Sequence, residues 1–140
     1  MNAQRPTLNA QRSSASHAYD LEDRLLEYAV RIIRVAESMR RSAAGLHIAD
    51  QLLRSGTSPY GNHGEAEGAE SRDDFIHKLR VCFKELRESR RWLKLIQRAE
   101  LIAKPELLVG LINEADELVR IFAKSIQTAA NHQKGGKLER

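Results

Sequence analysis

The feature that most constrains this chain is a repeat between residues 75 and 96. Phe75, Leu79, Cys82, Leu86, Ser89, Leu93 and Ile96 follow one another at spacings of 4, 3, 4, 3, 4 and 3. A strand repeats every two residues. This pattern averages 3.5, so the segment is read as an α-helix with one continuous seam turned toward a partner. Ile76, Val81, Phe83, Trp92 and Leu95 fall outside the seam, so the helix is expected to bury more than a narrow coiled-coil stripe.

Two further seams carry the same period. Leu21, Leu25, Tyr28, Ile32, Val35 and Met39 define a first helix, with Asp20 as its predicted N-cap, Asp23 at the capping-box position and Arg40 and Arg41 at its C-terminus. Leu108, Leu111, Ala115, Leu118, Phe122, Ile126 and Ala129 line a fourth, with Pro105 at the first helical position. The third helix is capped by Ser71, with Asp73 and Asp74 matching its dipole.

A second helix is predicted to start between Ser42 and Leu46, with Ala49, Leu52, Leu53, Gly56 and Tyr60 on its inner face. Pro59 lacks an N–H and crowds the carbonyl of Ser55, so a kink or break is expected there. Residues 61–70, with three glycines, read as a frayed continuation or a loop.

The architecture is therefore read as all-α, an antiparallel up-down four-helix bundle over residues 19–131. Residues 1–18 and 132–140 show no apolar period and read as flexible tails. A length of 140 residues suits one domain that needs no disulfide or metal staple. The single cysteine, Cys82, excludes a disulfide framework and fits a cytoplasmic setting. There is no apolar run of the ~18 residues that a membrane span needs, and no apolar signal segment at the N-terminus. Apolar positions beyond the seams point to self-association.

The net charge of +4 hides a strong asymmetry. Residues 72–98 carry +5 and residues 42–71 carry −3. Within the third helix, Arg80, Lys84, Arg87, Arg91, Lys94 and Arg98 repeat at 4, 3, 4, 3 and 4, offset from the apolar seam. Such a stripe is a candidate phosphate-binding face. The competing reading is a solvated face neutralised by pairs such as Glu88–Arg91 and Asp74–Lys78. Trp92, among Arg90, Arg91 and Lys94, is a core or interface anchor in one reading and a base-stacking residue in the other.

Other chemistry has less support. A di-metal bundle needs two Glu-x-x-His pairs and two further glutamates. The sequence offers only Asp74 or Asp73 with His77 and His63 with Glu67, so a metal-dependent enzyme using His63, Glu67, Asp73 and His77 lacks its second ligand set. Cys82 sits on an apolar seam, where a thiol is inert. Ser55, Ser58 and Ser71 have no nucleophile elbow, and no phosphate-loop or dinucleotide fingerprint occurs, so no cofactor is expected. Asn62, Glu65 and Glu67 beside the glycines read as capping or loop groups, or as the lining of a polar pocket.

The central segment resembles the four-helix-bundle proteins encoded in intervening sequences of bacterial 23S ribosomal RNA genes. The likeness spans roughly residues 20–130 and rests on Ser58, Asn62, Glu65 and Ala66, then Phe75, Ile76 and Leu79, then Lys84 and Glu85, and finally Glu117, Leu118, Ile121 and Phe122. Pro59, Gly64 and Gly68 depart from the pattern. The resemblance implies a small cytoplasmic protein that assembles into a ring, most often a pentamer, with no catalytic residues. It also implies kinship with accessory proteins of diversity-generating retroelements, which bind nucleic acid and a reverse transcriptase. Two functions follow as expectations: a nucleic-acid binder, with RNA preferred, acting through Arg80, Lys84, Arg87, Arg91, Lys94 and Arg98, or a scaffold that docks a protein partner.

Overall fold

Two serines set the registers of the central helices. Ser42 is extended, and its hydroxyl accepts the Gly45 N–H at 3.0 Å. Ser71 does the same for the Asp74 N–H at 3.1 Å. Each supplies a partner for one of the amide groups that a helix start leaves unpaired.

A computed structural model describes residues 16–138, with side chains from 20 to 132. Among the described residues there are four α-helices and no strand: α1 (Ser16–Glu37), α2 (Ala43–Glu67), α3 (Arg72–Ala99) and α4 (Val109–Leu138). A 3-10 turn, Pro105–Leu108, leads into α4, with proline at its start as expected. Helix α1 begins at Ser16, so Asp20, expected to cap it, lies a turn inside the helix. Helix α4 runs on to Leu138, through part of the segment read as a polar tail. The rest of the predicted N-terminal tail, residues 1–15, lies outside the described residues.

Each helix packs on the next in the chain, and α1 meets α4 more sparsely than the consecutive helices meet one another. The seams of α1, α3 and α4 form the core as their spacing predicts: Leu25, Tyr28 and Ile32 face Leu86, Leu93, Ile96, Leu118 and Phe122, all buried. At the core's centre the Tyr28 hydroxyl meets Ser89 Oγ at 2.7 Å, and Ser89 in turn donates to the Leu86 carbonyl. At one end, Arg40 ties the two loops together, its amide donating to the Leu101 carbonyl and its Nε to the Glu100 carbonyl. Glu100 ends α3 in the left-handed region, with φ of 55°.

Helix α2 corrects two expectations. Of the kink or break expected at Pro59, the break does not occur: the helix runs from Ala43 to Glu67, so residues 61–67 continue it and residues 68–70 leave it. Side-chain bonds to the backbone flank the proline on both sides. Ser55 donates to the Gln51 carbonyl, Thr57 to the Leu53 carbonyl and Asn62 to the Ser58 carbonyl and hydroxyl. The ring of Pro59 is buried, and its carbonyl accepts from the Cys82 thiol at 3.5 Å.

The second correction concerns the inner face. Leu53 and Tyr60, expected inside, are exposed. The true seam is Gly45, Ala49, Leu52, Gly56, Pro59, His63 and Ala66, again stepping by 4 and 3. It is built from small or polar residues because α2 packs close to its neighbours. A Cβ on Gly56 would stand 2.6 Å from both branches of Ile32 on α1.

Candidate nucleic-acid interface

Which way each helix turns its flanks follows from its ion pairs. Arg24, one residue before the seam residue Leu25, reaches α4: its Nε and Nη2 hold Glu114 at 3.0 and 2.7 Å, and Nη2 also meets Glu117 at 3.1 Å. On α3, Arg90, one residue after Ser89, pairs with Asp116 of α4 at 3.1 Å. Lys78, one residue before Leu79, pairs with Glu65 of α2 at 2.8 Å. In antiparallel neighbours like flanks meet, so these contacts fix a closed order α1–α2–α3–α4 around the core.

The six stripe residues of α3 then fall on its outer side. Arg80, Arg87 and Lys94 come one residue after the seam positions Leu79, Leu86 and Leu93. Lys84, Arg91 and Arg98 come two residues after Cys82, Ser89 and Ile96. All six are exposed. None forms an ion pair among the described residues, whereas Lys78 and Arg90 on the flanks are both tied to carboxylates. The pairs proposed to neutralise the stripe do not form. Glu88 accepts the Trp92 indole N–H at 3.0 Å instead of an Arg91 contact, and Lys78 turns to Glu65 rather than to Asp74.

At 1.5 Å per residue, the stripe from Arg80 to Arg98 is about 27 Å long. Its first half borders a shallow cleft of about 300 Å³ lined by Arg80, Phe83, Lys84, Arg87, Glu88 and Arg91. The Arg87 guanidinium carbon lies 5.5 Å from the centre of the Phe83 ring. Trp92 is half-buried against the core, so the anchor reading fits its position better than a free stacking platform.

The groove between α1 and α2 presents the opposite chemistry. Leu26 and Ile33 follow the α1 seam residues Leu25 and Ile32, and Leu46, Leu53 and Tyr60 follow Gly45, Leu52 and Pro59 on α2. Both sets sit on the flanks that α1 and α2 turn toward each other, and each side chain is 37–57% exposed. An apolar strip therefore runs along the outside of the α1–α2 pair. Sequence reading assigned two of its members to the core; the spacing of Leu46, Leu53 and Tyr60 at seven residues was the signal for a separate stripe.

A match to a family model described as "23S rRNA-intervening sequence protein" covers residues 19–124. The chain belongs to this family. A crystal structure from Bacteroides thetaiotaomicron, of a protein with unknown function from the S23 ribosomal protein family, is 35% identical and superposes with a TM-score of 0.71. The match covers 79% of this chain and 97% of that one. No curated protein matches the chain. Neither the family description nor the crystal structure's description states an activity.

The residues that carried the likeness to the intervening-sequence family serve mainly as scaffold. Ser58 and Asn62 bond to each other on α2, Glu65 holds Lys78, and Glu117 holds Arg24. Ala66, Ile76, Leu79, Leu118 and Phe122 are buried.

The other candidates resolve as follows. His63 and Glu67 come together, with Nδ1 3.6 Å from Oε1. Asp73 and His77 lie at the start of α3, and Asp74 there gives its amide to Ser71. No group of three His, Cys, Asp or Glu side chains among the described residues is placed to hold a metal ion. Burial pushes the Cys82 thiol up to about 12, which leaves it protonated and unreactive at neutral pH. No helix among the described residues is long and apolar enough to cross a membrane.

Proposed function

We propose that this protein is a non-enzymatic homo-oligomer of the bacterial cytoplasm that binds nucleic acid, RNA in preference, through the outer face of α3. The observation that carries the reading is the stripe of six exposed cations without an ion pair among the described residues. A row of arginines and lysines contacts phosphates, and phosphate contacts carry no sequence information, so this part of the binding is independent of sequence. The apolar strip on α1 and α2 is the surface that assembly would cover. The closed ring, five-membered as the resemblance implies, multiplies the stripe around one particle.

The test is binding of a 30-nucleotide RNA to the full chain across a salt series. Six neutralised phosphates give a slope of about −4 to −5 in log K against log salt. Reversing Arg87, Arg91 and Lys94 to glutamate flattens it by at least about two units. An affinity and slope untouched by the reversal overturn the proposal. Protein that never binds RNA and instead captures a protein partner, such as a reverse transcriptase, supports the scaffold reading in its place.

A further inference from the structure

The end of the bundle away from the Arg40 loops holds a cavity of about 820 Å³. It lies where α1 begins, α2 ends and α3 begins, against the second half of α4. The volume falls in the range of small-molecule sites, which pair apolar walls with a few placed polar groups. Leu21, Phe75, Leu79 and Ile121 form its apolar walls.

The polar groups have a definite sign. Arg24, at the edge, is held by both Glu114 and Glu117, so its charge is already more than balanced. Asp20, Asp23 and Glu67 add carboxylates to the lining. His63 also lines the cavity, is only 6% exposed, and packs edge-on to Phe122 with ring centres 6.2 Å apart. Its Nδ1 is buried and makes no hydrogen bond, because Glu67 Oε1 at 3.6 Å is too distant. A buried polar atom without a partner is uncommon and costly.

We propose that this cavity binds a small amphiphilic amine, an ammonium group on an aromatic or aliphatic body. The body lies against Leu21, Phe75, Leu79 and Ile121. The ammonium sits on the carboxylate-lined part of the wall, beside Glu67 and Asp23. An anionic ligand is excluded, since the surrounding carboxylates outnumber Arg24. The site is separate from the α3 stripe and does not depend on nucleic-acid binding.

The test is a titration of isotope-labelled full-length protein, read by NMR at the amides of Ala66, Leu79 and Ile121 and at the His63 ring nitrogens. The probes are 2-phenylethylamine, its neutral analogue 2-phenylethanol and its anionic analogue 3-phenylpropionate. The amine is expected to shift all these signals and to bind about fivefold tighter than the alcohol, the propionate not at all. Asp23→Asn with Glu67→Gln removes the preference for the amine and leaves the alcohol unchanged. Ser125→Leu, which narrows the cavity, weakens both. Equal binding of the three probes, or no shift at these signals up to the solubility limit, overturns the proposal.

Discussion

The outer face of α3 and the outer face of the α1–α2 pair are built on one register and carry opposite chemistry. One residue after alternate seam positions, α3 places Arg80, Arg87 and Lys94, whereas α1 and α2 place Leu26, Ile33, Leu46, Leu53 and Tyr60. The fold requires only the seams, so the outward positions are free to serve partners. Both faces are unfavourable in an isolated copy. Apolar area left in water forgoes roughly 25 cal/mol per Å². Like charges about 6 Å apart in water repel by about 0.7 kcal/mol per neighbouring pair before screening. A protein partner relieves the first cost and a polyanion the second. On the proposed function, the contrast assigns assembly and nucleic-acid binding to different surfaces.

The largest expected effect breaks that contrast directly. Arg87→Glu, Arg91→Glu and Lys94→Glu together lower RNA affinity by about 10²–10³-fold at low salt, with particle mass by light scattering unchanged. Leu46→Glu with Leu53→Glu does the reverse: the particle falls to the monomer mass with its helical circular dichroism intact. RNA affinity then drops only by the lost avidity, about tenfold or more. If either set of substitutions disrupts both readouts equally, the two faces are not independent.

The α1, α3 and α4 seams were legible because their residues are large and apolar, and hydrophobicity marks them. The α2 seam was legible only in part: Ala49, Leu52 and Gly56 were read on the inner face, whereas Gly45, Pro59, His63 and Ala66 occupy positions that a hydrophobic pattern passes over. Leu53 and Tyr60 were assigned to the inner face for the same reason, as the conspicuous apolar residues nearby. Continuity through Pro59 was illegible because it coincides with hydrogen bonds from Ser55, Thr57 and Asn62, which no propensity scale anticipates. The stripe itself was legible as spacing. That its cations form no ion pair among the described residues was not, since Glu88 had both Arg91 and Trp92 within reach along the helix and only the fold shows which it takes.

A smaller effect sharpens the difference between the two sides of α2. Gly56→Ala forces a methyl group against Ile32, where the space is 2.6 Å, and is expected to cost about 1–3 kcal/mol in chemical denaturation. Gly64→Ala meets nothing within 4 Å and is expected to gain up to about 1 kcal/mol from helix propensity alone. The same substitution therefore changes sign between the inner and outer sides of one helix. Equal effects at both positions would mean that α1 and α2 are not in close contact.

The last effect is a pH dependence that sets in above neutral pH and belongs to the core rather than to either face. Burial pushes the Tyr28 hydroxyl up to about 12, and the Cys82 thiol to a similar value. Both groups hold their protons more tightly folded than unfolded. Their contribution to stability is therefore complete below the unfolded values, near 9 for the thiol and 10 for the phenol, and is lost as pH rises toward 12. Denaturation midpoints are expected to be level from pH 7 to about 9 and to fall above it, by at most about 1.4 kcal/mol per pH unit for each group. Tyr28→Phe lowers stability at pH 7 by about 1 kcal/mol through the lost bond to Ser89, yet makes the fall between pH 10 and 12 shallower. Ser89 keeps its bond to the Leu86 carbonyl in that variant, so no buried hydroxyl is stranded to confuse the measurement. An unchanged alkaline slope in Tyr28→Phe would place the titrating group elsewhere, outside the contact that joins α1 to α3.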